Sequence, residues 1–272
     1  MSLHIQERFP DILKPAAEIL RPASKILRPA GMLLKPASRI LTDAVFPRRC
    51  PVCGEIVPLG TPGGICAACL PKLDLVKGAV CMKCGRELSD ASEKYCSDCR
   101  KRPKSFAYGC ALCNYDDIMQ HAVTRIKYAN RREYIAPLAG LFAACCADVI
   151  RGMDADCLVP VPIHPERRRR RGFNQAELLA EALGGRLGIP VRTDILFRSR
   201  RTEPQKELSP DERIRNLLTA FSAPEGAAAG LDVILVDDIY TTGSTIEACT
   251  RVLQRAGAGK VYFLALCIVP EA

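Results

Sequence analysis

From Phe106 to the C-terminus the chain alternates between two rhythms. Short continuous apolar runs, typical of strands buried on both faces, are separated by stretches whose apolar residues recur every three or four positions, typical of amphipathic helices. The pattern predicts helices at about 115–129 and 134–151, a strand at Cys157–Val161, and a helix at about 173–187 closed by Gly188 and Pro190. A strand at Leu231–Val236, a helix at Thr245–Ala256 and a strand at Lys260–Val269 follow. Cys110-Ala111-Leu112-Cys113 reads as part of a first strand. Strands alternating with helices predict an α/β domain over 106–272, a parallel sheet flanked by helices on both faces.

Upstream the rhythm changes. Residues 12–41 repeat with a period of seven, as in Ile12-Leu13-Lys14-Pro15, Ile19-Leu20-Arg21-Pro22, Ile26-Leu27-Arg28-Pro29 and Leu33-Leu34-Lys35-Pro36. A heptad normally indicates a coiled coil, but the proline in each unit costs a helix about 3 kcal/mol. Residues 1–46 therefore read as a basic, flexible or kinked arm, or as a basic amphipathic surface for membrane or nucleic acid. Residues 47–105 form a cysteine-rich module that ends in the basic linker Arg100-Lys101-Arg102-Pro103-Lys104-Ser105.

Composition places the chain among soluble globular proteins: 48% of residues are apolar and 25% charged. No apolar run approaches the ~18 residues of a membrane span. The best candidate, Leu138–Ile150, is short and contains Asp148. No secretory leader is recognisable, so a cytoplasmic location is expected. The net charge of +9 is uneven: residues 1–49 carry 9 basic and 4 acidic groups, residues 50–105 carry 9 and 6, and residues 106–272 carry 21 and 20. A basic arm and module imply a polyanionic partner such as single-stranded DNA, or a protein partner.

Of 15 cysteines, ten form five C-x2-C pairs; Cys110/Cys113 has no mate and reads as strand, and the other eight form four pairs upstream of it. Without an export signal such pairs indicate metal rather than disulfides. Cys50/Cys53 and Cys66/Cys69 are separated by 12 residues, and Cys81/Cys84 and Cys96/Cys99 by 11. Each C-x2-C turn offers two thiolates to one tetrahedral ion, so two structural Zn²⁺ ions are expected. Pairing first with second and third with fourth gives tandem ribbons, and cross-brace pairing is the alternative. Cys145, Cys146, Cys157, Cys249 and Cys267 lie in apolar contexts and read as core.

The most informative stretch is Val233-Ile234-Leu235-Val236-Asp237-Asp238-Ile239-Tyr240-Thr241-Thr242-Gly243-Ser244-Thr245. A buried strand delivers two carboxylates to its carboxyl end, where ligands of such sheets bind. The hydroxylated loop Thr241, Thr242, Gly243, Ser244, Thr245 then opens a helix. Loop N–H groups and a helix N-terminus suit a phosphate, and neighbouring carboxylates suit hydroxyl donors. An apolar strand ending in Asp-Asp also fits a Walker B segment, but no P-loop exists. Gly257-Ala258-Gly259-Lys260 continues into Val261 and lacks the first glycine. Another phosphate-sugar site or a structural turn are the remaining alternatives.

This stretch resembles the 5-phosphoribosyl 1-pyrophosphate (PRPP) motif of type I phosphoribosyltransferases. The resemblance implies that Asp237 and Asp238 hold the ribose hydroxyls and Thr241–Thr245 the 5′-phosphate, with Mg²⁺ accompanying PRPP. It also places a pyrophosphate loop at Pro162, Ile163 and His164, followed by the arginine run ending in Arg171. One or two of the arginines 167–171 then clamp pyrophosphate, or the run is a solvated basic face. Thr202-Glu203-Pro204-Gln205 and Leu208–Asn216 resemble the loop that closes over PRPP, or form an ordinary surface helix. No general base is recognisable.

The order of a double zinc ribbon, Val159-Pro160-Val161-Pro162, Arg171-Gly172-Phe173-Asn174-Gln175 and the PRPP motif resembles the ComF family of competence-associated proteins over roughly 50–272. The resemblance implies transfer of phosphoribose from PRPP to a nitrogenous acceptor, linked to DNA uptake or nucleotide metabolism. A non-catalytic PRPP-sensing or DNA- or protein-binding adaptor is the alternative.

Overall fold

The structure is a computed structural model that describes residues 47–58, 61–198 and 217–271. The proline heptads and the expected closing loop at 202–216 lie outside the described residues.

The α/β part is built on a four-stranded parallel sheet in the order β1-β6-β5-β2. Its strands are β1 (Gly109–Asn114), β2 (Cys157–Pro160), β5 (Val233–Tyr240) and β6 (Val261–Ile268), while β3 (Phe197–Arg198) and β4 (Phe221–Ser222) form a separate antiparallel pair. The helices are α1 (Ser97–Lys101), α2 (Asp117–Tyr128), α3 (Ile135–Arg151), α4 (Pro165–Arg171), α5 (Gln175–Leu187) and α6 (Ser244–Arg255). The two most apolar strands, β6 along its whole length and β5 over Val233–Val236, lie inside the sheet, as strands buried on both faces must. Alternation along β5 divides the core in two. Ile234 and Val236 join one cluster with α2, α3 and α5, while Val233 and Leu235 join another with α6.

Three differences from the expected elements matter. β5 runs on through both carboxylates to Tyr240, because pairing with β6 continues as far as Tyr240↔Ile268. The arginine run forms its own helix, α4, started by Pro165 at its first turn and stopped by Gly172 at φ +81°. The apolar stretch around α3 is longer than Leu138–Ile150. Arg132–Arg151, 20 residues with mean hydropathy 1.5, is by length and composition apolar enough to cross a membrane. In this fold, Ile135, Leu138, Ala139, Phe142 and Ile150 of that helix are buried in the core.

The cysteine module is continuous with the α/β part. Cys50, Val57, Ile65, Cys69 and Leu73 share the core cluster of α2, α3 and α5, whereas Cys81, Cys84, Cys96 and Cys99 share that of α6. The backbone of Val76 donates to Leu112 and that of Asn114 to Asp74, which stitches the module to β1.

Candidate phosphate-binding site

At the carboxyl end of β5 the chain turns sharply into α6. Gly243 caps that helix at φ +75°, in the left-handed region, and a Cβ there would collide with the Tyr240 hydroxyl. Tyr240 is fixed in turn by stacking on Phe263, with ring centroids 4.6 Å apart and planes 5° from parallel. The hydroxyls of Thr242 and Ser244 lie 3.0 Å from each other. Thr241, Thr242, Gly243, Ser244 and Thr245 line a cavity of about 110 Å³ together with Asp237, Ile239 and Leu217. Phosphate-sized, rimmed by hydroxyls and set on the first turn of a 12-residue helix, this cavity offers what an anion needs.

The two carboxylates leave β5 on opposite faces, as consecutive strand residues do. Asp237 opens onto the loop cavity, and its Oδ1 accepts from the Asp238 backbone N–H at 2.8 Å. Asp238, 8% exposed, faces α2 and α5. It forms an ion pair with Lys127 at the end of α2 and accepts from Gln175 Nε2 at 3.1 Å. Burial and the adjacent Asp238 charge push the Asp237 carboxyl well above its ordinary value, whereas Lys127 holds Asp238 below its own despite burial. Two neighbouring acids, Asp237 half-buried and Asp238 buried, are driven in opposite directions, and perturbed groups of this kind concentrate at functional sites.

Beyond Asp238, Lys127, Tyr128, Asn130, Arg167, Arg170, Arg171 and Phe173 line a second cavity of about 180 Å³. Arg171 donates to Gln175 and lies 5.6 Å from the Tyr128 ring centroid. Arg168 instead pairs with Glu177 at 2.9 Å, so the arginine run is divided between cavity and surface. His164 caps α4, its Nδ1 accepting from the Glu166 N–H at 3.3 Å, while Pro162 and Ile163 are half-buried in the loop after β2. None of these three lines either cavity. Asn174 caps α5 by accepting from Ala176 N and also donates to the Val161 carbonyl, tying that loop to the helix.

Lys127 and Gln175 were not assigned roles in the sequence. Lys127 sits in an ordinary helical pattern, and only the fold brings it to Asp238 across 111 positions of chain. Gln175 carried a weak signal, since it directly follows the cap Asn174 beside the arginine run.

The cysteines form two tandem clusters, Cys50/Cys53/Cys66/Cys69 and Cys81/Cys84/Cys96/Cys99, with the ligand atoms of each within 4.8 Å of one another. The Sγ–Sγ separations of 3.8 Å between Cys53 and Cys66 and 3.7 Å between Cys84 and Cys96 match the tetrahedral edge of about 3.8 Å that Zn–S bonds of ~2.3 Å require. Both sets therefore fit zinc, and four thiolates leave no open position for catalysis.

A double zinc ribbon domain family matches residues 41–100, and a phosphoribosyl transferase domain family matches residues 169–272. The DNA utilization protein YhgH of Salmonella typhimurium is 33% identical over 207 residues, covering 75% of this chain and 90% of that protein. Competence protein F of Haemophilus influenzae is 29% identical, covering 72% and 93%. Competence protein ComFC of Bacillus subtilis is 30% identical, covering 71% and 79%. Among solved structures, phosphoribosylpyrophosphate synthetase from Mycobacterium smegmatis covers 58% of this chain and 41% of that chain, at 18% identity and a TM-score of 0.26.

Proposed function

Because this chain belongs to the ComF family, which joins a double zinc ribbon to a phosphoribosyltransferase-like domain, we propose that it binds Mg-PRPP and transfers phosphoribose to a nitrogenous acceptor. The observation that carries the reading is the loop Thr241–Thr245, with Gly243 in the left-handed region, facing one cavity together with Asp237. In this reading the loop N–H groups and hydroxyls hold the 5′-phosphate. Asp237 accepts from a ribose hydroxyl, and Asp238 completes the grip once Lys127 turns from it to the pyrophosphate.

The arginine-lined cavity beside Lys127 is the side from which pyrophosphate leaves. The bond from the anomeric carbon to the pyrophosphate oxygen breaks, its electron pair departing with pyrophosphate, and the acceptor nitrogen bonds to that carbon. Cleavage builds positive charge on the sugar ring, as in glycoside hydrolysis. Lys127, Arg167, Arg170 and Arg171 stabilise the departing charge from fixed positions. Mg²⁺ brought with PRPP would supply further charge neutralisation, with Asp237 and Asp238 as the available carboxylates. The Pro162–His164 loop, which leads from β2 into α4 with His164 as that helix's cap, is the pyrophosphate loop of this reading.

Calorimetry with Mg-PRPP on the wild type and on the Asp237→Asn/Asp238→Asn double variant tests the site: unchanged affinity in the variant would falsify it. Pyrophosphate release over a panel of nitrogenous bases tests turnover. Tight binding without release for any base favours the alternative, a PRPP-sensing adaptor in DNA uptake. The relatives named for competence and DNA utilization support DNA uptake as the setting of either activity.

A further inference from the structure

The loop that faces the phosphate cavity is held from behind by the second zinc ribbon. Loop N–H groups can aim at a ligand only if the loop carbonyls are fixed elsewhere. Two of them are. The carbonyl of Thr241 accepts from Arg86 Nη2 at 2.8 Å, and that of Thr242 accepts from Lys104 Nζ at 3.2 Å. Arg86, 4% exposed, lies two residues beyond the zinc ligand Cys84, and its other guanidinium arm donates to Asp98, between Cys96 and Cys99, at 3.0 Å.

The knuckle that places Arg86 is anchored on both sides. Cys81 N–H donates to the Arg86 carbonyl at 2.7 Å and Gly85 N–H to Cys81 at 2.9 Å. On the sheet side, Gly109 N–H donates to Lys83 at 2.9 Å, and a Cβ on Gly85 would collide with the Gly109 carbonyl. Next to Lys104, Ser105 donates through both its N–H and its hydroxyl to Glu247, a carboxylate 1% exposed in the first turn of α6. A zinc ion held by four thiolates is a doubly negative unit, and the buried Arg86 cation beside it is attracted toward the cluster as well as to the loop. The first ribbon makes no hydrogen bond to the loop among the described residues.

We propose that the second zinc cluster is a working part of the phosphate site, with Arg86 as a positioning residue that couples zinc binding at Cys81/Cys84/Cys96/Cys99 to phosphate binding at Thr241–Thr245. The coupling rests on the phosphate-cradle reading given above. It is reciprocal: whatever factor zinc adds to phosphate affinity, a bound phosphate adds to zinc affinity at that cluster and not at the other.

Full-length protein is titrated with a chelator in the absence and presence of ribose 5-phosphate, whose own binding is measured by calorimetry. The Cys53→Ser variant identifies the step belonging to the first cluster. Ribose 5-phosphate is expected to raise zinc affinity of the second cluster by roughly fivefold to tenfold, the lower range of measured site couplings, and to leave the first cluster unchanged. Arg86→Ala, still holding two zinc ions, is expected to bind ribose 5-phosphate more weakly by the same factor and to lose the protection. Arg86→Lys, which keeps the charge but cannot bridge Asp98 and Thr241 together, recovers part of both.

If the wild type binds no ribose 5-phosphate, the cradle reading itself is wrong and the coupling goes with it. If it binds, but neither zinc step moves or both move equally, the coupling is overturned while the cradle stands. The wild-type titration decides this even if Arg86→Ala does not fold. Lys104→Ala then provides the second variant, with weaker ribose 5-phosphate binding expected at full zinc content and unchanged binding counting against the brace.

Discussion

The carboxylates of Asp237 and Asp238 sit side by side on β5 yet live in opposite electrostatic settings. Lys127 holds the Asp238 carboxyl below the ordinary value of 3.8 despite its burial, and burial beside that charge pushes the Asp237 carboxyl well above it. The signs give opposite pH dependences. Asp238, depressed, contributes stability that is present above about pH 4 and is lost as pH falls through its folded value. Asp237, raised, contributes a cost that is absent below about pH 4 and grows as pH rises toward its folded value. In ligand-free protein, Asp237→Asn should therefore raise Tm at pH 7–8, with the gain fading toward pH 4. Asp238→Asn strands the Lys127 charge in a largely buried pocket, and breaking such a pair costs about 3 kcal/mol. Thermal melts across pH check both, and a fall in Tm at pH 8 for Asp237→Asn would contradict the assignment. A single substitution that stabilises the free protein while weakening its ligand is the signature of a site strained for binding.

At the scale of elements, what was legible in the sequence was whatever local pattern controls. The run Val233–Val236 announced an inner strand, Gly243 announced the sharp entry to α6, and the C-x2-C spacings announced two metal clusters. Long-range placement was not legible. That β5 continues through its acids depends on β6 lying alongside, and that Asp238 meets Lys127 and Gln175 depends on α2 and α5 packing on the same face. The role of Arg86 was hidden more completely, because nothing near a zinc knuckle indicates a partner 155 residues away. Asn174 stands between the two cases. It caps α5, a local role, and its amide also fixes the Val161 carbonyl at the end of β2. Asn174→Ala should lose about 1–2 kcal/mol from the cap alone. If the bond to Val161 also orients α4, Mg-PRPP affinity should fall while ribose 5-phosphate affinity, set by the loop after β5, holds. Calorimetry with the two ligands separates a local cap from a site support.

Across the whole molecule, each ribbon belongs to a different side of the sheet, and that asymmetry sets how the chain should respond to losing a metal ligand. The first cluster has a solvent-facing edge, with Cys53 exposed and Cys66 half-buried. All four cysteines of the second are buried and continuous with Phe106, Tyr240 and Phe263, whose rings meet edge-on and stacked beneath the loop. A structural zinc contributes folding energy to the segment that wraps it, and the size of the cooperative loss depends on how much core that segment shares. Cys53→Ser should loosen the first ribbon at moderate temperature and leave the main transition near its wild-type Tm, seen as a small early transition in calorimetry. Cys84→Ser should instead lower the main transition itself, because unwinding the second ribbon uncovers the aromatic cluster that carries Tyr240 and, through it, Gly243. Equal effects of the two substitutions on the main transition, at equal zinc loss, would overturn this asymmetry: two small shifts would make both ribbons peripheral, and two large ones would make the first as integral as the second through the core it shares with α2, α3 and α5.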